Sequence, residues 1–109
     1  MNQLQEYTNE EIIDVTIHRL ELIMHELHLL NVFLLQYIFG VMQIPVNSIN
    51  YRLLHSLRNG NGDFFIEDME NLLLSLPRAQ IERIECFTSY ITTNRNNHNL
   101  HDMVTSYHN

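Results

Sequence analysis

The stretch HELHLLNVFLLQYIFG, residues 25–40, constrains the fold more than any other part of the chain. Its apolar side chains follow one another almost without interruption, so they must be covered either by a bilayer or by protein. The mostly apolar run over residues 29–42 is interrupted by Asn31 and Gln36. It is shorter than the roughly 20 residues that a helix needs to cross a bilayer. No lysine or arginine flanks them closely. The stretch therefore predicts a helix that is surrounded by protein and not by lipid.

A heptad pattern runs through this stretch and through the residues before it. It predicts one long helix that begins at a Thr8 or Asn9 cap, extends to Phe39, and ends at Gly40 or at the QIP sequence that follows. We expect a second copy of the chain to pack along a seam of six positions, Leu20, Met24, Leu27, Asn31, Leu34 and Ile38. In such a homodimer Asn31 fixes the register of the two helices, or else it faces a polar rim.

Three shorter helices are predicted after the long one. The first is VNSINYRLLHSL, capped by Asn47 or Ser48, and the second is FFIEDMENLLLSL, capped by Asp63. The third is RAQIERIECFTSYI. Pro77 either ends the second helix or begins the third. The inward-facing residues are predicted to be Ile49, Leu53, Leu54, Leu57, Phe65, Met69, Leu72, Leu73, Leu76, Ile81, Ile84, Phe87 or Thr88, and Ile91. With no strand pattern and no internal repeat, the fold class is all-α, in a single domain over 1–93. Residues 94–109 are predicted to be a flexible tail.

The charge of the chain limits its partners. The net charge is −7, and the sequence contains no lysine, so the chain repels the phosphates of nucleic acids. Arg52 and Arg58 form the best basic pair, which is too small for direct DNA binding. The single cysteine, Cys86, excludes an internal disulfide and is typical of the cytoplasm, where we expect the protein to act. The acidic, polar N-terminal residues do not resemble a secretory leader.

Two groups of residues contain side chains of the types that bind metal ions. The first is Glu21, His25 and His28, which lie on one face of the predicted long helix, at the spacing i, i+4 and i+7 that metal ligands on a helix can have. The spacing matches neither the helix motif of metalloproteases nor the paired motifs of di-metal bundles. We therefore favour histidines that are solvated or lie at an interface, and we predict no metal there.

The second group lies in NGNGDFFIEDME, which places Asn59, Asn61, Asp63 and Glu70 at positions one, three, five and twelve of an EF-hand calcium loop. Position one lacks a carboxylate, and Phe64 occupies the position where the sharp turn of the loop requires glycine. A glycine-containing turn followed by a capped helix is the favoured interpretation.

The middle of the chain resembles a known family. A helix ends in Gly40, IPVNSINYRLLHSL follows, a short turn contains Gly62 and Asp63, and MENLLLSL comes last. This order is similar to that of the AriR-like biofilm and acid-resistance regulators of enterobacteria, described as connectors to two-component systems. The matching positions within residues 30–76 are Ser48, Ile49, Arg52, Leu53, Leu54, Leu57, Leu72, Leu73 and Leu76. The resemblance implies an all-helical dimer that binds other proteins. Residues 78–109 have no counterpart, and Arg58 stands where an acidic residue is usual.

These observations predict a small cytoplasmic regulator that binds a transcription factor or a signalling protein. No catalytic constellation is apparent, so neither an enzyme nor a cofactor is predicted. One alternative is a phage-type or plasmid-type inhibitor, whose acidic face occupies the nucleic-acid site of an enzyme. Another is a helical protein with a degenerate calcium or metal site.

Overall fold

The computed structural model describes residues 6–27, 29–59 and 64–94, and the regular structure in these ranges is helical. The helices are α1 (Asn9–Ile23), α2 (Leu30–Leu35), α3 (Tyr51–Asn59), α4 (Ile66–Leu74) and α5 (Arg78–Asn94), and a π-helical turn over Gln36–Val41 continues α2. The predicted all-α class is confirmed. No helix in the described part of the chain has both the length and the apolar character needed to cross a membrane.

Helix α1 begins with a capping box, as the sequence predicts for Thr8. The Thr8 hydroxyl accepts a hydrogen bond from the backbone N–H of Glu11 at 3.1 Å, and the Glu11 carboxylate accepts one from the backbone N–H of Thr8 at 3.0 Å. These bonds satisfy two backbone donors that the first turn of a helix leaves free. They also lower the pKa of Glu11, because both the backbone and the side chain of Thr8 bond to its ionised form.

The predicted single helix over residues 9–39 is wrong, because the chain turns between Ile23 and Leu30. The backbone N–H groups of Glu26 and Leu27 both donate to the carbonyl of Ile23, at 3.0 and 3.1 Å. A straight helix over these residues would be about 46 Å long, whereas the longest extent of the molecule is 34 Å. The turn keeps both halves of the apolar segment over one core. As a result α5, with 17 residues, is the longest of the helices in the described ranges.

The second half of the apolar segment ends within the QIP sequence, as predicted. The backbone N–H of Met42 donates to the carbonyl of Tyr37 at 2.8 Å, five residues back, which closes the π-helical turn. Gln43 follows with a φ of 55°, the left-handed conformation that usually ends a helix at glycine. A non-glycine residue therefore occupies the strained position, while Gly40 lies inside the turn.

Asn47, one of the two residues predicted to cap the next helix, lies in a turn before that helix, which begins at Tyr51. Its side-chain oxygen accepts hydrogen bonds from the backbone N–H groups of Ile49 and Asn50, at 2.8 and 3.0 Å. The side-chain oxygen of Asn50 in turn accepts a hydrogen bond from the backbone N–H of Asn47 at 2.9 Å. This local turn leads directly into α3.

Most of the inward-facing positions predicted for α3, α4 and α5 are buried, but two predictions are wrong. Ile49 is half exposed, because it precedes α3 in the Asn47 turn and does not share the buried face of that helix. Phe65 is exposed, and the neighbouring Phe64 is buried in its place. Leu76 is partly buried against the core. Asp63, the predicted cap of α4, lies outside the described residues.

The core joins all five helices. Helix α1 packs against α5 and α4, and α2 packs against α3. The ring of Tyr37 stacks on Phe87 of α5, with the centroids 4.0 Å apart and the planes within 4°. The largest fully buried side chains come from every helix; they include Ile12, Leu20, Phe33, Leu34, Leu53, Leu57, Met69, Leu72 and Phe87.

Candidate functional site

The predicted intermolecular seam is part of this intramolecular core. Leu20, Leu34 and Ile38 are completely buried within the single chain, Leu27 and Asn31 are buried, and Met24 is partly buried. This corrects the assignment of these residues to an interface, because the turn after Ile23 folds the two halves of the seam onto α3, α4 and α5. A homodimer through some other surface remains a prediction.

Asn31 has an intramolecular role that neither sequence alternative included. Its amide nitrogen donates a hydrogen bond to the carbonyl of Leu57 at 3.1 Å. Leu57 lies in the last turn of α3, where carbonyl groups have no partner within the helix. Asn31 therefore ties α2 to the C-terminal end of α3. Its side-chain oxygen is buried and has no hydrogen-bond partner in the described part of the chain.

Four of the seven candidate metal ligands, Glu21, His25, Asn59 and Glu70, lie among the described residues, and they come from different elements. Glu21 is exposed on α1, whereas His25 is exposed in the turn after α1 ends, so the two no longer follow one helical face. Asn59 ends α3 and Glu70 lies on α4. The remaining candidates, His28, Asn61 and Asp63, are outside the described residues. Within the described ranges, no group of three or more histidine, cysteine, aspartate or glutamate side chains could hold a metal ion.

The single cysteine has the properties of a weak nucleophile. Partial burial raises the pKa of the Cys86 thiol, and the neighbouring carboxylate of Glu85 raises it further. Both effects disfavour the thiolate, which is the reactive form.

The surface between α3 and α4 has the features of a binding site. A groove of about 550 Å³ runs between the start of α3 and one side of α4, and its lining residues are Ser48, Ile49, Arg52, Asp68, Asn71, Leu74 and Ser75. Phe65 adjoins it, since the guanidinium carbon of Arg52 lies 6.0 Å from the centre of the Phe65 ring. Phe65 is 65% exposed and Leu74 is 60% exposed. We call Ile49, Arg52, Phe65, Asp68 and Leu74 the α3–α4 surface.

Asp68 is the unusual member of this surface. It lies in the first turn of α4, where a carboxylate is favoured by the helix dipole, yet the residue is only 6% exposed. The Nε of Arg52 lies 3.8 Å from Asp68 Oδ2, which is close enough for an ion pair but too far for a hydrogen bond. Oδ2 has no hydrogen-bond donor among the described residues. A buried carboxylate oxygen in this state costs free energy that a suitable donor would recover.

The sequence pattern identified only one member of this surface as a charged candidate, Arg52, and did so for a different function. Ile49 and Phe65 were expected to face inward. The combination of exposed apolar side chains with a buried aspartate depends on how α3 packs against α4. A local sequence motif therefore does not predict this surface.

Comparison of the chain with protein-family models, with curated proteins and with solved structures found no match. The similarity to the AriR-like regulators remains an expectation that rests on the residues quoted above.

Proposed function

We propose that the protein is a small cytoplasmic regulator that acts by binding another protein and not by catalysis, and that the α3–α4 surface is its docking site. The observation that carries this proposal is the exposure of Ile49, Phe65 and Leu74 around a groove that contains the buried carboxylate of Asp68. Exposed apolar side chains grouped around a groove lose contact with water when a partner covers them.

The chemistry of the surface defines the partner. Apolar side chains of the partner would cover Phe65 and Leu74, and a basic side chain or another N–H donor would reach Asp68 Oδ2. The net charge of −7 favours the approach of such a basic face at a distance. A transcription factor or a signalling protein with an exposed segment of this composition fits these requirements.

The test is affinity capture from the native host with three forms of the full-length protein. These are the wild type, Phe65→Glu, and a control, Leu29→Glu, which changes a half-exposed leucine that does not line the groove. We expect a protein that the wild type and the control retain and that Phe65→Glu loses, with its affinity weakened by about tenfold or more in calorimetry. Equal retention of the same protein by Phe65→Glu would contradict the docking site.

A further inference from the structure

The contact between Arg52 and Asp68 on the α3–α4 surface is incomplete on both sides. Asp68 Oδ2 is buried and accepts no hydrogen bond from the described residues, and the Nε of Arg52 stays 3.8 Å away from it. Within these residues the Arg52 guanidinium is held only by this ion pair and by the ring of Phe65, whose centre lies 6.0 Å from the guanidinium carbon. The Arg52 side chain is 64% exposed. A side chain with such weak contacts is easily displaced, because exposed ion pairs contribute little free energy.

Displacement of Arg52 gives a donor from outside the chain access to Asp68. Oδ2 is buried although Asp68 lines an open groove, and Arg52 is the exposed cation that lies against this atom. Arg52 is attached to α3 and makes its ion pair through Nε, so it does not form the paired hydrogen bonds that a guanidinium can make with a carboxylate. A guanidinium that belongs to a partner is not restrained in this way, and it can form charge-assisted hydrogen bonds of about 2.8 Å.

The α4 side of the groove supplies further hydrogen-bond acceptors. Asp68, Asn71 and Ser75 are spaced at i, i+3 and i+7, so they follow one face of α4 and its C-terminal cap, and all three line the groove. Ser75 donates its hydroxyl hydrogen to the carbonyl of Leu72 at 2.7 Å, which leaves the hydroxyl oxygen as an acceptor. A guanidinium carries five N–H donors, whereas the ammonium of a lysine carries three and acts as a point charge. This row of acceptors therefore favours a guanidinium.

The apolar side chains of the groove match the rest of an arginine side chain. Ile49 and Leu74 line the groove and are 50% and 60% exposed. The methylene groups of an arginine can lie along them while its charged end reaches Asp68. The ring of Phe65 can lie under the guanidinium of a partner, as it already lies under that of Arg52.

We propose that an arginine of the partner replaces Arg52 on Asp68, and that Arg52 lowers the affinity for the partner by competing for this carboxylate. The proposal rests on the docking function proposed for the α3–α4 surface. It adds the identity of the basic side chain and names a residue of this chain that competes with it. Removal of Arg52 should therefore tighten binding, whereas removal of a residue that contacts the partner weakens it.

A small probe, butylguanidinium, tests the exchange without knowledge of the partner. Its affinity is measured from amide chemical-shift changes in the groove, in the full-length wild type and in Arg52→Gln, Asp68→Asn and Arg58→Gln. Arg58 is exposed in the last turn of α3 and does not line the groove, so Arg58→Gln is a matched control that removes the same charge. Butylammonium and the neutral butylurea are the comparison probes. Circular dichroism melts verify that every variant remains folded.

We expect Arg52→Gln to bind butylguanidinium about threefold more tightly than the wild type, because a weak ion pair no longer competes. Arg58→Gln should resemble the wild type, and Asp68→Asn should lose the binding. Butylammonium and butylurea should bind more weakly than butylguanidinium. Equal affinities of Arg52→Gln and Arg58→Gln would overturn the proposal. Undetectable binding to Arg52→Gln, unchanged binding to Asp68→Asn, or butylammonium binding as tight as that of butylguanidinium would also overturn it.

Capture of the partner from the native host separates the exchange from the docking function. We expect Asp68→Asn to retain less of the partner than the wild type does, and Arg52→Gln to retain more. A partner that Phe65→Glu loses, but that Asp68→Asn and Arg52→Gln retain as the wild type does, would overturn the exchange and leave the docking site in place. Retention by Phe65→Glu would contradict the docking site itself, and with it the exchange.

Discussion

The α1–α5 contact and the α3–α4 contact use their polar groups differently. In the first, Arg19 donates to the carboxylate and the carbonyl of Glu85 at 3.2 and 3.3 Å and to the hydroxyl of Thr88 at 3.3 Å. In the second, the Nε of Arg52 approaches Asp68 Oδ2 only to 3.8 Å, and within residues 6–27, 29–59 and 64–94 this buried oxygen has no hydrogen bond. The difference separates a contact that the chain completes for itself from a surface that has a hydrogen bond left to make.

The apolar side chains follow the same division. Phe87 of α5 is fully buried and stacks on Tyr37, whereas Phe65, at the start of α4, is mostly exposed beside Arg52. A large aromatic residue contributes to folding only where the folded chain covers it. Phe87 therefore belongs to the stability of the domain, and Phe65 is available for binding.

Truncating these two aromatic residues gives the largest expected effect. Phe87→Ala should lower the free energy of unfolding by about 3–5 kcal/mol, because it leaves a cavity and removes the ring stacked on Tyr37. Phe65→Ala should change it by less than about 0.5 kcal/mol, because the side chain is mostly in water already. Urea denaturation measures both values. A loss of several kcal/mol for Phe65→Ala would show that this side chain is part of the core.

The second-largest expected effect on the free energy of unfolding comes from changing one polar side chain in each contact. Arg19→Met keeps the aliphatic stem but loses the bonds to Glu85 and Thr88, and it should cost about 1–2 kcal/mol after allowance for partial exposure of the pair. Asp68→Asn should change stability by less than about 0.5 kcal/mol, since no hydrogen bond to Oδ2 is broken. The same urea titrations compare them. A greater loss for Asp68→Asn than for Arg19→Met would reverse the distinction between the two contacts.

A smaller, stabilising effect is expected at Gln43, the residue with a left-handed backbone conformation before α3. Gln43→Gly should raise the free energy of unfolding by about 0.5–1 kcal/mol, because glycine adopts a positive φ without the clash that Cβ causes. Gln36→Gly, at an exposed helical position, is the matched control and should be destabilising. Thermal melts that show Gln43→Gly to be as harmful as Gln36→Gly would argue against the left-handed conformation.

The smallest effect concerns pH and the cap of α1. The pKa of Glu11 is lowered below its ordinary value of 4.5 in the folded chain. Its contribution to stability is therefore present above pH 4.5 and is lost as the pH falls through the lowered pKa. Glu11→Gln removes the titrating carboxyl, so the stability of that variant should fall less steeply with acid over this range. Parallel slopes for the two proteins between pH 5 and pH 2 would contradict the role of the capping box.

The sequence predicted those features that depend on neighbouring residues. A cap at Thr8 or Asn9 predicted the start of α1, which Thr8 caps, and apolar periodicity predicted the burial of Leu57 and Ile84. Such patterns are local, so they hold whatever the rest of the chain does.

The remaining features depend on contacts between distant segments. No glycine or proline occurs in residues 24–29, so the turn that divides the apolar segment has no local marker. Phe64 and Phe65 are adjacent, and a shift of one residue decides which of them is buried. The α3–α4 surface exists only because Arg52 and Asp68 meet across two helices. Periodicity within one helix cannot supply that information.

The apolar N-terminal segment turns back into the core of its own chain, and the α3–α4 surface stays open to a partner. Double electron–electron resonance spectroscopy tests this turn most directly. Spin labels are attached to Glu10→Cys and Gly40→Cys in a Cys86→Ser background. Glu10 is exposed, and a side chain at Gly40 meets nothing within 4 Å, so both sites accept a label. Dilution with unlabelled protein removes any distance between two copies. We expect the labelled backbone positions to be separated by less than the 34 Å extent of the molecule. A separation of about 45 Å, the length of an unbroken helix between these residues, would contradict it.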